Sequence, residues 1–421
     1  MTPLWYLTRK SIANRGLSVA LTVFAVALSV AMLVGVERLR SDARTGFSQT
    51  IAGTDLLVGA RSGPVQLLLY SVFHIGDATN NVSWKSMEEI AAHPQVDWLV
   101  PISLGDSHRG FRVVGTSEAF FDRYQYGRGR TLEFSDGRRF GDMFEAVVGA
   151  EVAARFAYRV GEEIVVSHGA GADVSFADHD DKPFVVSGVL ERTGTPVDRS
   201  VFVSLEAIEA IHVDWAGGAP MPGVAIPAEQ VGRFDLTPKS VTAALVGLES
   251  RVAVFRVQRF INNYADEPLL AVLPGATLQE LWGVIGIVER ALLAVSAVVV
   301  AVGLAGLVAV VTASLGERRR ELAILRAMGA SPRQVFVLLA SESVVISALG
   351  CALGLLLVHS VAWFVGPWLE AHHGLMFSAR WLSATEWTLL GSVMGAAILA
   401  SLVPGWRAYR YSLADGMTIR V

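Results

Sequence analysis

Residues 17–36 read LSVALTVFAVALSVAMLVGV, twenty positions without a charge. As a helix at about 1.5 Å per residue, this stretch spans roughly 30 Å, the thickness of a bilayer core. In water such a segment would have to be buried on every side. A cleaved secretory signal has a shorter apolar region, roughly 7–15 residues, that ends at small residues. Here VERLR follows at 36–40, so the segment reads as an uncleaved anchor. Three further runs repeat the pattern. Residues 291–315 carry no charge, 335–364 are interrupted only by Glu342 and His359, and 387–403 form a shorter run. Four membrane helices are predicted, over 17–38, 285–315, 335–366 and 387–405. The charged fraction of 18% agrees, since soluble chains average about 25%.

Lys and Arg near the helix ends orient such a chain. The segments 1–16, 316–334 and 406–421 hold eleven basic residues against Glu317, Glu321 and Asp415. The long segment 39–284 holds 21 basic and 31 acidic residues, and the loop 367–386 has Arg380 as its strong base. Both termini and the 316–334 loop are therefore expected in the cytoplasm, with 39–284 and 367–386 outside. The net charge of −4 excludes a broadly basic nucleic-acid binder. With Cys351 as the single cysteine, no intrachain disulfide and no Cys-based zinc centre can form.

The external segment reads as a mixed α+β domain. Residues 86–92 suggest a short amphipathic helix stopped by Pro94, and 152–158 a second helix. Short β-branched runs at 96–101, 111–115, 145–148, 163–167, 184–190 and 200–203 predict strands. Residues 237–260 mix both signals. Two lobes are expected, one from residues near 40–100 and 240–284, the other from about 105–235 inserted into it.

The loop between the second and third runs has its own punctuation. Glu321, Leu322, Ile324, Leu325 and Met328 fall on one helix face. Gly329 ends that helix and Ser331-Pro332 opens the next, with proline in the first turn. Residues 317–336, ERRRELAILRAMGASPRQVF, and 403–417, VPGWRAYRYSLADGM, resemble the MacB/FtsX-like ABC transporter permeases. So do LTRKS at 7–11, VGT at 114–116 with Phe120 and Phe121, GRGR at 127–130, VGAEVA at 148–153 and YRVG at 158–161. The resemblance implies a MacB-like two-lobed periplasmic domain between helices one and two, in a multi-pass bacterial inner-membrane protein. It implies a short cytoplasmic coupling helix that contacts an ATPase through Glu317, Arg320, Glu321, Leu325, Arg326, Met328 and Gly329. No G-x-x-x-x-G-K-[ST] occurs, so these residues form no phosphate loop. Only about sixteen residues precede the first run. The chain thus resembles the stand-alone permeases of the family, of the LolC and LolE kind, rather than those with a fused ATPase. ATP and Mg would then be bound by a separate ATPase subunit, with no cofactor in this chain. A second permease chain, membrane lipid and a periplasmic adaptor or cargo protein are the other partners implied; nucleic acid is not.

Gly303 and Gly306, Gly350 and Gly354, and Gly391 and Gly395 lie one turn apart in runs two, three and four. Such spacing lets helix backbones approach closely, within one chain or between two. Glu342 lies roughly 10 Å inside its run and reads as a structural carboxylate near the interface. In the external segment His179, Asp181 and His212 are candidate metal ligands, because zinc accepts such N and O donors. Consecutive residues do not all face one point, however, and H-E-x-x-H is absent. Residues 178–181 therefore read as a solvated acidic turn, with no metal expected. The function predicted is non-catalytic: a permease that couples a partner's ATP hydrolysis to motion of external domains for export, lipoprotein extraction or mechanotransmission. The alternatives are an FtsX-like scaffold controlling a cell-wall hydrolase and a membrane-anchored metalloenzyme.

Overall fold

The computed structural model describes residues 16–169, 177–216, 219–221, 226–317, 319–373 and 377–410. The N-terminal segment to residue 15, Arg318 and the tail beyond residue 410, which carry part of the basic asymmetry, lie outside them. The chain divides into two compact units, residues 1–43 with 286–421, and residues 44–285.

Among the described residues, four helices are long and apolar enough to cross a membrane: Gly16–Gln49, Pro274–Glu317, Pro332–Phe364 and Ala384–Arg410. The first two run beyond the predicted spans. The 44 residues of Pro274–Glu317 reach about 66 Å, twice a bilayer core. Charges at 279–290 had marked the edge of the apolar run, but charge does not break a helix. Pro274 sits at the helix start, where its missing N–H costs nothing. In the first unit, Val26, Val30 and Val34 of the first helix pack with Cys351 and Val358 of the third and Leu390 and Val393 of the fourth. A Cβ on Gly350 would lie 2.6 Å from Val26 Cγ1, and one on Gly354 2.7 Å from the Ala27 carbonyl oxygen. One on Gly303 would meet Ser29 Oγ at 2.8 Å. These three glycines are where helices of one chain close up. A Cβ on Gly306, Gly391 or Gly395 would meet nothing within 4 Å.

The second unit is built on one mixed sheet. Its main strand order is Leu269–Val272, Leu56–Ala60, Ala243–Leu248, Val96–His108, Phe111–Thr116, Ser200–Ser204, Glu145–Val148, Phe184–Leu190 and Phe134–Gly137. Ser200–Ser204 runs parallel to Phe111–Thr116, and Phe184–Leu190 parallel to Glu145–Val148; the other pairs on this path are antiparallel. Leu56–Ala60 and Ser200–Ser204 are buried at every position, the pattern of strands covered on both faces. Successive side chains on a strand point to opposite faces, and the cores follow that rule. Leu57, Val114, Val147 and Phe202 share one continuous core with Leu67, Leu68 and Phe120. Their neighbours on the other face divide. Leu56 and Val58 pack with Met87, Ile90, Val257 and Ile261, while Val113, Val148 and Val201 pack with Val152, Ala207 and Ile211.

The two expected lobes correspond to these two separate cores on one face. They are not separate bodies, because the sheet and the opposite core are continuous. The strand Val96–His108 itself crosses the expected lobe boundary. One close approach decides a residue type: a Cβ on Gly149 would sit 2.2 Å from the Val197 carbonyl oxygen. Only glycine fits there.

Candidate functional site: the loop helix between two long helices

The loop helix spans Arg319–Ala327. Its end is a Schellman motif. Gly329 takes φ +101°, its N–H donates to the Arg326 carbonyl, and the Ala330 N–H donates to that of Leu325 at 3.0 Å. A side chain at 329 would be strained by the backbone alone. The next helix opens with a capping box. Ser331 Oγ accepts from the Gln334 N–H, the Ser331 N–H donates to Gln334 Oε1 at 2.8 Å, and Pro332 occupies the first turn. The Schellman motif and the capping box together fix where the loop helix ends and the next long helix begins.

Its faces are now distinguishable. Leu325 packs against a buried cluster of Leu315, Val335 and Leu339 from the two flanking helices. It anchors the loop helix and is half-buried there. Met328 is 72% and Ile324 58% exposed. Ile324 was not singled out as a contact residue, although its place three positions after Glu321 carried the signal. Arg326 is half-buried and Gly329 exposed. Glu317, Arg320 and Glu321 lie in helical backbone; their side chains are outside the described residues. Glu342 is buried on the third long helix.

A second polar site in the same unit was missed. Arg38 and Glu386, both 0% exposed at the side chain, pair at 2.9 Å. Glu386 also accepts from the Ser383 N–H at 2.6 Å and its own N–H donates to Ser383 Oγ. Asp42 accepts from Arg380 Nε at 3.0 Å and from Ser378. Arg40 bridges Glu37 and Glu289. The available signal was S-x-x-E at 383–386, a capping box before an apolar run.

In the second unit, Asp181 and His179 part company. Asp181 pairs with the fully buried Lys182, which also reaches Asp214 at 3.0 Å. His179 is not on a solvated turn: it is 1% exposed. The fold brings it to His212, together with Asp106 and His168, which sequence spacing did not mark.

The features now assembled are four membrane-spanning helices, a capped loop helix between two of them, and a large α+β insertion. They define a multi-pass membrane protein with a large α+β domain inserted between its first two membrane helices. The family profile for the MacB-like periplasmic core domain matches residues 19–254, and that for the FtsX-like permease C-terminal region matches residues 293–413. The chain belongs to the MacB/FtsX-like ABC transporter permeases. Among solved structures similar to it, the periplasmic region of MacB from Actinobacillus actinomycetemcomitans shares 13% identity, covering 55% of this chain and 94% of that one, with a TM-score of 0.33. The extracellular domain of the noncanonic ABC-type transporter YknZ from Gram-positive bacteria shares 14% identity, covering 52% and 99%, with a TM-score of 0.29. No curated protein matches.

Proposed function

We propose that this chain is the transmembrane subunit of a bacterial inner-membrane ABC system, carrying motion from a separate ATPase to the α+β unit. The observation that supports it most is the loop helix. Leu325 ties it to two long helices, a Schellman motif ends it, and Ile324 and Met328 face outward. Exposed large apolar side chains flanking an arginine suit a protein contact. ATP and Mg would be held by the ATPase. ATP-driven closure of two ATPases would push two loop helices, one from each of two permease chains. The long helices would pass that motion to the external units, for export, for extraction of a lipoprotein, or to act on a periplasmic partner.

Coupling is tested by Arg326→Glu and by Met328→Asp, both in full-length protein with its ATPase. Wrong-sign or desolvated charge in a contact costs several kcal/mol, so copurification and ATP turnover are expected to fall about tenfold or more while membrane insertion persists. Wild-type copurification and turnover in both variants would overturn the assignment. Orientation is tested by labelling intact cells with an impermeant thiol reagent in a Cys351→Ser background. Ser200, an obvious external position from sequence, is fully buried, so the exposed Ala92 takes its place. Ala92→Cys is expected to label from outside, and Met328→Cys only after lysis. External labelling at 328 would reverse the topology.

A further inference from the structure

Four residues far apart in sequence meet at one point of the α+β unit. Asp106 lies on the strand Val96–His108, next to a bulge against Phe111–Thr116. The short strand Ser167–His168 pairs with it in a register that sets His168 beside Asp106. Its hairpin partner, Ala177–Asp178, delivers His179 directly after it. His212 is the C-cap of the helix Leu205–Ile211. One ligand atom from each of the four lies within 4.8 Å of every other.

We propose that Asp106, His168, His179 and His212 bind a single divalent transition-metal ion, zinc by preference, in a closed four-ligand site. Three nitrogens and one carboxylate oxygen are a donor set that zinc accepts. A tetrahedral centre with bonds of about 2.0–2.1 Å has ligand-to-ligand edges of about 3.3–3.4 Å. Three of the six edges bracket that value: His168 Nδ1 to Asp106 Oδ1 is 3.0 Å, His212 Nε2 to His168 Nδ1 is 3.3 Å, and His212 Nε2 to Asp106 Oδ1 is 3.9 Å; the three to His179 lie within 4.8 Å.

Hydrogen bonding alone leaves this cluster unsatisfied. His212 Nδ1 lies 2.8 Å from the Ile208 carbonyl oxygen, which can only accept. That contact places the hydrogen on Nδ1 and leaves Nε2 with a lone pair aimed into the cluster, as in a metal-bound histidine whose other nitrogen is held by a carbonyl. His168 Nδ1 has one hydrogen at most to offer both Asp106 and His212. His179 is 1% exposed, and its Nε2 has no hydrogen-bond partner among the described residues. Buried nitrogens without partners are rare and call for an explanation such as an ion. Trp215 closes the site, its ring 4.6 Å from that of His179 and 5.2 Å from those of His168 and His212. Four protein ligands with no open position describe a structural ion rather than a hydrolytic one. It would tie the strand pair Ser167–His168 and Ala177–Asp178 to the strand and helix beside it, in a chain that has no disulfide to do so.

The test uses full-length protein in detergent, stripped with a chelator and titrated with zinc against a chromophoric competitor. One equivalent per chain is expected to bind more tightly than micromolar. Loss of an outer partner alone costs roughly 10–100-fold in affinity, so His179→Ala and His212→Ala are expected to lose about 100-fold or more. His93→Gln, outside the cluster, keeps wild-type affinity. If the alanine variants do not fold, zinc K-edge absorption on the wild-type protein decides instead. It is expected to show a shell of nitrogen and oxygen near 2.0 Å with outer scattering from imidazoles. Wild-type binding weaker than micromolar, undiminished binding in folded alanine variants, or a zinc spectrum without imidazole scattering would each overturn the proposal.

Discussion

Arg38→Ala is expected to destabilise the helical unit by about 3–5 kcal/mol, because it leaves the Glu386 carboxylate buried with only the more distant Arg380, at 3.9 Å, as counter-charge. Arg38 and Glu386 are both fully buried and pair at 2.9 Å, on the first and fourth long helices. Removing one partner exposes the other's full desolvation cost, whereas removing both need not. Arg38→Met combined with Glu386→Gln is therefore expected to recover most of the loss. The glutamine keeps an oxygen for the Ser383 N–H, which Glu386 now holds at 2.6 Å. Unfolding of full-length protein by a denaturing detergent, followed by helicity, compares wild type, the single variant and the double variant. A single-variant cost below about 1 kcal/mol, the value of a solvated surface pair, would show that this pair does not clamp the helices.

A similar loss is expected in the α+β unit from Lys182→Met. Lys182 is fully buried and reaches both carboxylate oxygens of Asp214, at 3.0 and 3.2 Å, while Asp214 is itself 5% exposed. The methionine fills the space but leaves Asp214 without its counter-charge, at a cost of about 3–5 kcal/mol. Asp181→Asn is the control. That side chain is 44% exposed, and such a pair contributes about 1 kcal/mol or less. The effect has a pH signature. Burial opposes ionisation of Asp214, but the Ile226 N–H and Lys182 outweigh it and hold the carboxyl below the ordinary aspartate range. A depressed folded pKa contributes stability above the unfolded value, about 3.9, and that contribution is lost as pH falls through the folded one. In Lys182→Met only burial and the N–H remain, so protonation relieves the variant. Thermal melts from neutral pH downward are expected to show the gap between variant and wild type narrowing as the carboxylates titrate. A gap that stays constant to pH 4 would show that Asp214 is not what Lys182 supports.

The membrane helices and the loop helix could be read from sequence because their signals are local. An uncharged twenty-residue run needs no partner to declare itself, and Gly329, Ser331 and Pro332 act on backbone within one or two residues of themselves. Strands such as Glu145–Val148 and Phe184–Leu190 were marked by their own β-branched residues. The strands Leu56–Ala60 and Leu269–Val272 and the helix Pro64–Phe73 carried no separate expectation. A short apolar run can be either element until a neighbour covers it.

What only tertiary structure decided is which distant residues share a point. Arg38 and Glu386 are 348 positions apart, and a charge at the end of an apolar run reads equally well as an interfacial anchor. Leu325 and Ile324 are adjacent and both aliphatic; packing against Leu315, Val335 and Leu339 turns one inward and leaves the other exposed. His179 and Asp181 look like one acidic turn, yet the turn at 180–181 and the buried Lys182 send them to different partners. Asp106, His168, His179 and His212 have no motif spacing, because a bulge, a strand register and a helix C-cap bring them together. Each of those is set by packing across the sheet, which sequence distance does not encode.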